Sequence, residues 1–262
     1  MKHLLLAFQF LTIIPVRINK AVSEADIAKS ASAFVMVGLF QGILLVATDY
    51  IAGLFFHSDL VIGIVLLVLV LSNGGFHLDG LADTFDALAV KGDREKKLVI
   101  MKDSTIGPIG VISIVFALAL KYFALKNLSH LLPFTYYSAL LMMPIMPKWA
   151  MVLSMFHGKP AREDGLGRIF ISRAGVREVA VSTLMLFLLL ALPYVFFSRY
   201  MPNSQYIFYA VLPAAIYLLC RICVNFFNKK FGGLTGDTLG AISELTEIIF
   251  LLTVIVWSRL FI

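Results

Sequence analysis

Long stretches without a charged residue dominate this chain and restrict it to a membrane-embedded fold. A helix needs roughly 20 apolar residues to cross a bilayer core, and six uncharged stretches come close to that length. A seventh span is predicted in the last part of the chain, although Glu244 and Glu247 lie in its first turns. The seven predicted spans are Ala31–Thr48, Leu60–Phe76, Ser104–Leu120, Asn127–Pro147, Val179–Ser198, Tyr200–Cys220 and Ala241–Ser258.

Composition supports this interpretation and excludes two other classes of protein. Of the 262 residues, 60% are hydrophobic and 15% are charged, whereas a soluble domain is about half apolar and about a quarter charged. A disordered chain would be richer in charge and poorer in apolar residues. The sequence therefore predicts an all-α polytopic membrane helix bundle of about seven transmembrane helices, forming a single domain over residues 1–262.

The N-terminal apolar stretch Leu4–Val16 is too short to span a bilayer. It resembles the core of a signal peptide, but no clear small-residue cleavage site follows it. We expect it to be retained as a short interfacial or re-entrant helix.

The distribution of lysine and arginine predicts the orientation. With the N-terminus inside and seven crossings, sixteen of the 22 basic residues fall on the cytoplasmic side and three on the other. Basic residues favour the cytoplasmic side, so we expect a multi-pass protein of the cell inner membrane with its C-terminus outside. Three polar segments would then share the cytoplasmic face, at about 77–103, 157–178 and 229–240.

An acidic motif begins the first polar segment. Asp79, Asp83 and Asp86 are spaced i, i+4 and i+7, which places them on one face of a helix. Their mutual repulsion would be relieved by a divalent cation, and oxygen ligands with open positions suit Mg²⁺. The alternative is a solvated acidic helix face. His77 is a candidate general base or a packed histidine at the end of a span.

The second candidate segment follows closely. Lys102, Asp103 and Ser104 lie at the start of the third predicted span. Asp103 or Ser104 would be a natural N-cap for that helix, but helix N-termini also bind phosphate. Both functions stay open at this point.

Basic residues of the next polar segment provide candidate phosphate ligands. Arg162 and Arg168 lie in a glycine-spaced run and could neutralise a diphosphate. Ordinary cytoplasmic charge is the alternative. Lys148 lies within an apolar span, where a charge marks a partner or a site.

A glycine-rich turn precedes the last span. Its four glycines between positions 232 and 240 permit close approach of a ligand. Thr235 and Asp237 are candidate N-caps or ligand contacts, and Glu244 lies two helical turns beyond Asp237 on the same face. A carboxylate entering an apolar helix needs a buried cation or a substrate group.

Together these segments resemble the cobalamin-5'-phosphate synthase family, also called adenosylcobinamide-GDP ribazoletransferase. The matching stretches are FLTIIPV (10–16), GGFHLDGLADTFD (74–86), IMKDSTIGPIGV (100–112), AREDGLGRIF (161–170) and GGLTGDTLGAISELTE (232–247). Two positions depart from the family pattern. Ala87 stands where glycine is common, and Lys148 stands where arginine is expected.

The resemblance implies an activity and a cofactor. Adenosylcobinamide-GDP would react with α-ribazole or its 5'-phosphate, giving adenosylcobalamin or its 5'-phosphate and GMP, with Mg²⁺ as the metal. Such phosphoryl transfer depends on positioning and charge stabilisation. Partners would be these two substrates and membrane lipid, without nucleic acid, and the sequence leaves homo-oligomerisation open.

Roles for the candidate residues follow from the same resemblance. Asp79 and Asp83 would bind Mg²⁺, with Asp86 or Asp103 completing the site. His77 or one aspartate would accept the 5'-hydroxyl proton of α-ribazole. The remaining candidates would contact substrate: Lys102, Ser104, Lys148, Arg162, Arg168, Thr235, Asp237 and Glu244.

Two other functions compete with this one. A CDP-alcohol phosphotransferase also uses helical aspartates with Mg²⁺, but it usually has an arginine shortly after the second aspartate, and here the next one is Arg94. A cation-coupled transporter would use Lys148, Glu244 and Glu247 as intramembrane charges, but transporters usually have repeated halves and charge at the midplane.

Overall fold

The computed structural model describes residues 1–19, 21–197 and 203–261, and within these ranges the chain is built from helices without a β-strand. The predicted all-α membrane bundle is therefore confirmed. The helices are α1 (Lys2–Leu11), α2 (Glu24–Ser30), α3 (Phe34–Gly53), α4 (Ser58–Ser72), α5 (Phe76–Ala89), α6 (Arg94–Ile100), α7 (Pro108–Ser129), α8 (Pro133–Met142), α9 (Ile145–His157), α10 (Gly165–Arg173), α11 (Val176–Phe197), α12 (Asn203–Phe231) and α13 (Gly236–Phe261).

Five helical segments in the described part of the chain are long and apolar enough to cross a membrane. Two further spans result if each of two bent helix pairs counts as one crossing, which gives the seven predicted. The pair α4 and α5 is bent by 84°, and the pair α10 and α11 by 89°. The five single segments are Glu24–Gly53, Pro108–Ser129, Pro133–His157, Ile207–Phe231 and Gly236–Phe261.

The predicted boundaries of several spans are wrong. The stretch Asn127–Pro147 is not one helix, because α7 continues to Ser129 and a new helix begins at Pro133. Proline favours the first turn of a helix and disfavours helix in the residue before it. The ends predicted at Ser198 and Tyr200 lie outside the described residues.

The bend between α4 and α5 has a local cause. Gly74 and Gly75 have φ angles of 65° and 75°, a left-handed conformation that glycine adopts without a steric penalty. The Asn73 side chain accepts a hydrogen bond from the Gly75 amide at 2.9 Å. This turn ends α4 at Ser72 and redirects the chain, so the acidic motif lies on a separate helix.

Helix α5 packs most extensively against α13, and α7 and α9 also contact α13. Two glycines allow the close crossing of α5 and α13. A Cβ atom on Gly80 would lie 2.7 Å from the Asp237 carbonyl oxygen, and one on Gly240 would lie 3.2 Å from the His77 carbonyl oxygen. Small residues permit such backbone contact between membrane helices, and here they bring the acidic motif against the glycine-rich turn.

A short N-terminal helix is present, but it ends before the predicted boundary at Val16, and its interfacial or re-entrant position stays a prediction. It covers Lys2–Leu11 and buries Leu6, Ala7 and Leu11. Lys2 forms an ion pair with Asp26 at 2.7 Å, which fixes this helix beside α2.

Candidate active site

The three polar segments meet at one end of the bundle. Arg94 donates a hydrogen bond to the Ala161 carbonyl at 2.8 Å, and Lys102 forms an ion pair with Asp164 at 2.5 Å. The Ala161 amide donates to the carbonyl of Leu234 at 2.8 Å. Segments far apart in sequence therefore form one continuous surface, and most of the candidate residues lie on it.

Two carboxylates of α5 open onto this surface. Asp79 is exposed, Asp83 is half-buried, and neither accepts a hydrogen bond from any residue in the described ranges. The charged neighbours of Asp83 are the carboxylates of Asp79, Asp237 and Asp86, with Arg162 as the opposing cation. With Asp83 itself, four acids against one base leave this region with an excess of negative charge.

Asp86 has a different environment from the other two aspartates of the motif. Its two carboxylate oxygens accept hydrogen bonds from the Gly107 amide at 2.7 Å and the Gly110 amide at 2.8 Å. These amides belong to the first turn of α7, whose unpaired N–H groups and dipole favour a carboxylate. The structure thus places Asp86 as a link between α5 and α7, while the roles predicted for it in catalysis and metal binding stay predictions.

The expected capping role of Asp103 or Ser104 is wrong. Helix α7 begins at Pro108 with Gly107 as its N-cap. Asp103 instead accepts hydrogen bonds from the amide and hydroxyl of Thr105, at 3.0 and 2.7 Å. These bonds lower the pKa of Asp103, with the hydroxyl as the larger cause. Both Asp103 and Ser104 are exposed in the turn before α7.

A cavity of about 320 Å³ lies on the same surface, and two of its lining residues, Arg162 and Asp237, are charged neighbours of Asp83. Three predicted phosphate ligands, Lys102, Arg162 and Arg168, line it together with Thr235 and Asp237. Helix α10 begins at this cavity, and a Cβ atom on its third residue would lie 2.6 Å from the Gly236 amide nitrogen. The close backbone contact brings the start of α10 against the start of α13.

Ion pairs and hydrogen bonds hold the cations of this cavity in place. Arg162 lies 3.5 Å from Asp237 and donates to the Leu98 carbonyl at 2.9 Å. The ion pair with Lys102 lowers the pKa of Asp164, chiefly through its hydrogen bond. Because Arg162 has a weak carboxylate contact at 3.5 Å, its guanidinium can still bind an anion.

Thr235 is the residue that caps α13. Its Oγ1 accepts a hydrogen bond from the Thr238 amide at 3.1 Å, and Thr238 Oγ1 accepts one from the Thr235 amide at 2.8 Å. Asp237 is therefore not needed as the cap. Its carboxylate contacts Arg162 and accepts from the Thr235 hydroxyl at 3.3 Å.

A second charged cluster lies in the interior of the bundle. Lys121 of α7 pairs with Glu244 of α13 at 2.5 Å and also with Glu247. These three residues and Lys148 of α9 are between 0 and 2% exposed. Two lysines and two glutamates make a set without net charge, which is how buried ions are tolerated in membrane helices.

His77 lies between Lys148 of this cluster and Ser243 of α13. Its Nδ1 is 3.5 Å from Lys148 Nζ and 3.4 Å from Ser243 Oγ. The histidine is buried and is not among the residues that line the 320 Å³ cavity. The structure therefore separates His77, Lys148 and Glu244 from the open surface where the other candidates meet.

Sequence reasoning missed Lys121 as the counter-ion of Glu244 and Glu247. Lys121 directly follows the predicted end of the third span at Leu120, but α7 continues to Ser129. Lys121 is therefore a charge within an apolar helix, which indicates a partner. Its partners are 123 and 126 residues away in the chain, so the sequence alone did not identify them.

The carboxylates of the site fit a metal ion only in part. In the described part of the chain no three His, Cys, Asp or Glu side chains converge as metal ligands, so the triad Asp79, Asp83 and Asp86 is not assembled. Asp79 and Asp83 alone still fit Mg²⁺, which commonly takes one or two carboxylates and completes its shell with substrate phosphates and water.

Comparison with known proteins gives a consistent result. The family model described as cobalamin-5-phosphate synthase matches residues 3–255. A Geotalea daltonii protein named adenosylcobinamide-GDP ribazoletransferase is 37% identical over 95% of both chains. Proteins with the same name from Thermodesulfovibrio yellowstonii and Caldanaerobacter subterraneus are 35% and 39% identical, over 98% and 95% of this chain and 96% of their own. No solved structure matches. The chain belongs to the cobalamin-5-phosphate synthase family.

Proposed function

We propose that this chain is a membrane transferase that joins adenosylcobinamide-GDP to α-ribazole or α-ribazole 5'-phosphate. The products are adenosylcobalamin or its 5'-phosphate, and GMP. The family match and the name shared by its relatives support this activity. The observation that carries it is the cavity lined by three cations on the same surface as two unpartnered carboxylates, because transfer at a diphosphate requires both kinds of charge.

The reaction balances as a single displacement at phosphorus. An acceptor hydroxyl attacks the phosphorus that carries cobinamide, the anhydride P–O bond breaks, and GMP leaves with the bridging oxygen. An acceptor that keeps its 5'-phosphate cannot react through its 5'-hydroxyl, so the nucleophile is another ribose hydroxyl rather than the expected 5'-hydroxyl.

The cations of the cavity would bind the diphosphate. Arg162 and Arg168 provide planar guanidinium groups that can form paired hydrogen bonds to phosphate oxygens, and Lys102 adds a point charge. Negative charge grows on the departing GMP as the anhydride bond breaks. Cations held in place before the reaction stabilise that charge without reorganisation.

The carboxylates would serve the other half of the reaction. Asp79 and Asp83 would hold Mg²⁺ at the diphosphate, and the bound ion would offset phosphate charge. Asp237 would orient Arg162 through their contact at 3.5 Å. An aspartate is the better candidate than His77 for accepting the hydroxyl proton, since His77 is buried away from the cavity.

The orientation proposed from the sequence places this site in the cytoplasm. The three polar segments that carry most of the basic residues form one end of the bundle, and basic loops favour the cytoplasmic side. We therefore assign the N-terminus and the site to the cytoplasm and the C-terminus to the outside of the cell inner membrane.

Release of GMP from adenosylcobinamide-GDP by the purified full chain in nanodiscs tests the proposal. We expect release that requires the ribazole acceptor and Mg²⁺ and produces one cobalamin product per GMP. A chain that binds both substrates without releasing GMP would contradict the proposed activity.

A matched pair of variants tests the location of the site. Arg162→Met should reduce turnover by at least about tenfold, or roughly 1.4 kcal/mol of transition-state stabilisation, because Arg162 lines the cavity. Lys97→Met removes a charge from the same polar segments without touching the cavity and should leave turnover unchanged. Equal activity of the two variants would locate the reaction elsewhere.

A further inference from the structure

A second cavity lies at the end of the bundle opposite the candidate active site. Its volume is about 440 Å³, and it is lined by the end of α3, the start of α4 and the turn from α7 to α8. Nothing in the proposed reaction uses this region.

One carboxylate lies at the buried side of this cavity. Asp49 is 8% exposed and accepts a hydrogen bond from the Tyr136 hydroxyl at 2.6 Å. Tyr137, the next residue on α8, also lines the cavity with its hydroxyl-bearing ring. These hydroxyls are neutral, and the lining residues, all within the described ranges, include no lysine, arginine or histidine.

A buried carboxylate without a cation is costly in a membrane helix, and such a residue usually has a functional partner. In the interior cluster, by contrast, the Glu244 carboxylate has a cationic partner, because Lys121 lies 2.5 Å away. The protein itself supplies no equivalent cation for Asp49 among the cavity's lining residues. A positively charged ligand would supply it.

The wall of the cavity distinguishes between kinds of cation. A Mg²⁺ or Ca²⁺ ion needs several oxygen ligands, often more than one of them a carboxylate, whereas this cavity has one carboxylate and phenol hydroxyls. Aromatic faces attract organic ammonium groups. Tyr136 and Tyr137 line the cavity together with Asp49, so an ammonium group at Asp49 would lie near aromatic rings.

The rim of the cavity indicates what the rest of the ligand is. Tyr50, Leu54 and Phe56 are exposed on it, and a loop between membrane helices lies at the level of lipid headgroups. We infer that this cavity binds a primary ammonium group through Asp49 and its tyrosines, with the ethanolamine headgroup of a phospholipid as the occupant that suits this rim.

A comparison of two lipids tests this inference without altering the protein. The full chain in detergent, stripped of lipid, is titrated with phosphatidylethanolamine and with its N-acetyl derivative, and bound lipid is counted by native mass spectrometry. Acetylation removes the positive charge of the ammonium group and leaves the phosphate and the acyl chains intact. We expect at least about tenfold weaker binding of the acetylated lipid, and equal binding would overturn the inference.

A pair of variants then locates the site. Asp49→Asn should weaken phosphatidylethanolamine binding by at least about tenfold. Asp59→Asn is the matched control, because Asp59 lies at the same end but is 55% exposed, pairs with Lys126 and does not line the cavity. Equal affinity of Asp49→Asn and wild type would contradict the assignment. If Asp49→Asn fails to fold, the comparison of the two lipids still decides.

Free ethanolamine separates a lipid ligand from a soluble amine. Displacement of the lipid only at ethanolamine concentrations far above the lipid concentration would support the lipid as occupant. Saturation by ethanolamine as tight as that of the lipid would support recognition of the ammonium group by Asp49 with a soluble amine as its source. Absence of binding by both probes would overturn the site.

Discussion

Two pairs of carboxylates in this protein have opposite environments. Glu244 and Glu247, three residues apart on α13, are buried and share the ammonium group of Lys121. Asp79 and Asp83, four residues apart on α5, reach the surface of the polar segments, and no residue in the described ranges donates a hydrogen bond to them. The spacing in sequence is nearly the same, so only the neighbours distinguish the two pairs.

The difference separates stabilising charges from charges available to a ligand. A buried charge that already has a counter-ion joins helices together, and losing that counter-ion is costly. A carboxylate pair without a protein partner can bind a cation with little competition. By this criterion α13 carries a structural pair in its interior, and α5 carries the pair that we assign to Mg²⁺.

The largest expected effect is on stability, from Lys121→Met. This change leaves Glu244 and Glu247 buried without their nearest cation, which costs about 3–5 kcal/mol. Thermal unfolding in detergent measures it. Lys126→Met is the control, since Lys126 lies on the same helix but is exposed in its pair with Asp59, and it should unfold like wild type.

A compensating change sharpens this prediction. Glu247→Gln added to Lys121→Met leaves one buried glutamate and one buried lysine, Glu244 and Lys148, so much of the lost stability should return. If Lys121→Met alone unfolds at the wild-type temperature, the interior cluster does not stabilise the bundle through its charge.

The next largest effect is on turnover, from Asp79→Asn and Asp83→Asn. Each should lower kcat for GMP release by about a hundredfold or more, because charge stabilisation by a bound metal is worth several kcal/mol. The unfolding temperature should not fall, since these side chains pair with nothing in the described structure. Removing Mg²⁺ with EDTA should bring the wild type to the same low rate.

A control variant makes this result specific. Glu95→Gln removes an exposed carboxylate from the neighbouring helix α6 and should keep full activity. An Asp83→Asn protein with wild-type turnover at low Mg²⁺ would show that Asp83 is not a metal ligand, and the open pair would then resemble an ordinary solvated helix face.

The sequence predicted the membrane class and the grouping of polar segments because each depends on local composition. Apolar length identifies a span, and glycine-rich or charged stretches identify the turns between spans. Local composition did not locate the break between α7 and α8. Hydropathy does not distinguish Asn127–Pro147 from a single helix, and Pro133 determines where the new helix starts.

Long-range pairing explains the rest of what the sequence did not reveal. Asp86 belongs to the acidic motif by spacing, yet it bonds to amides of α7 that are 21 and 24 residues away. Glu244 was grouped with Asp237 by helical spacing, yet it faces Lys121 in the interior. Helical periodicity shows which face of a helix a residue lies on. It does not show which other helix packs against that face.

A smaller effect is expected from Asp237→Asn. Thr235 caps α13, so Asn should preserve the helix while removing the carboxylate charge beside Arg162. We expect about a tenfold fall in kcat/KM, roughly 1.4 kcal/mol, with unchanged thermal stability.

Combining Asp237→Asn with Arg162→Met tests whether the two side chains act together, since Asp237→Asn should reduce kcat/KM much less once its partner is absent. Independent losses in the double variant would mean that Asp237 acts on something other than Arg162.

The smallest effect is expected from Lys102→Met. Lys102 has an ion-pair partner, as the buried glutamates do, but it is exposed, as Asp79 is. Lys102 is paired with Asp164 at 2.5 Å, but the pair is exposed and lines the candidate active site. Exposed pairs contribute little to stability, so the unfolding temperature should not change. KM for adenosylcobinamide-GDP should rise about three- to tenfold with little change in kcat, and the difference from wild type should shrink at high salt because exposed charges are screened.

Lys126→Met removes a similar exposed pair from the opposite end and should leave KM unchanged. If both variants have the wild-type KM, the Lys102 pair is only a link between two loops, and substrate binding rests on the two arginines.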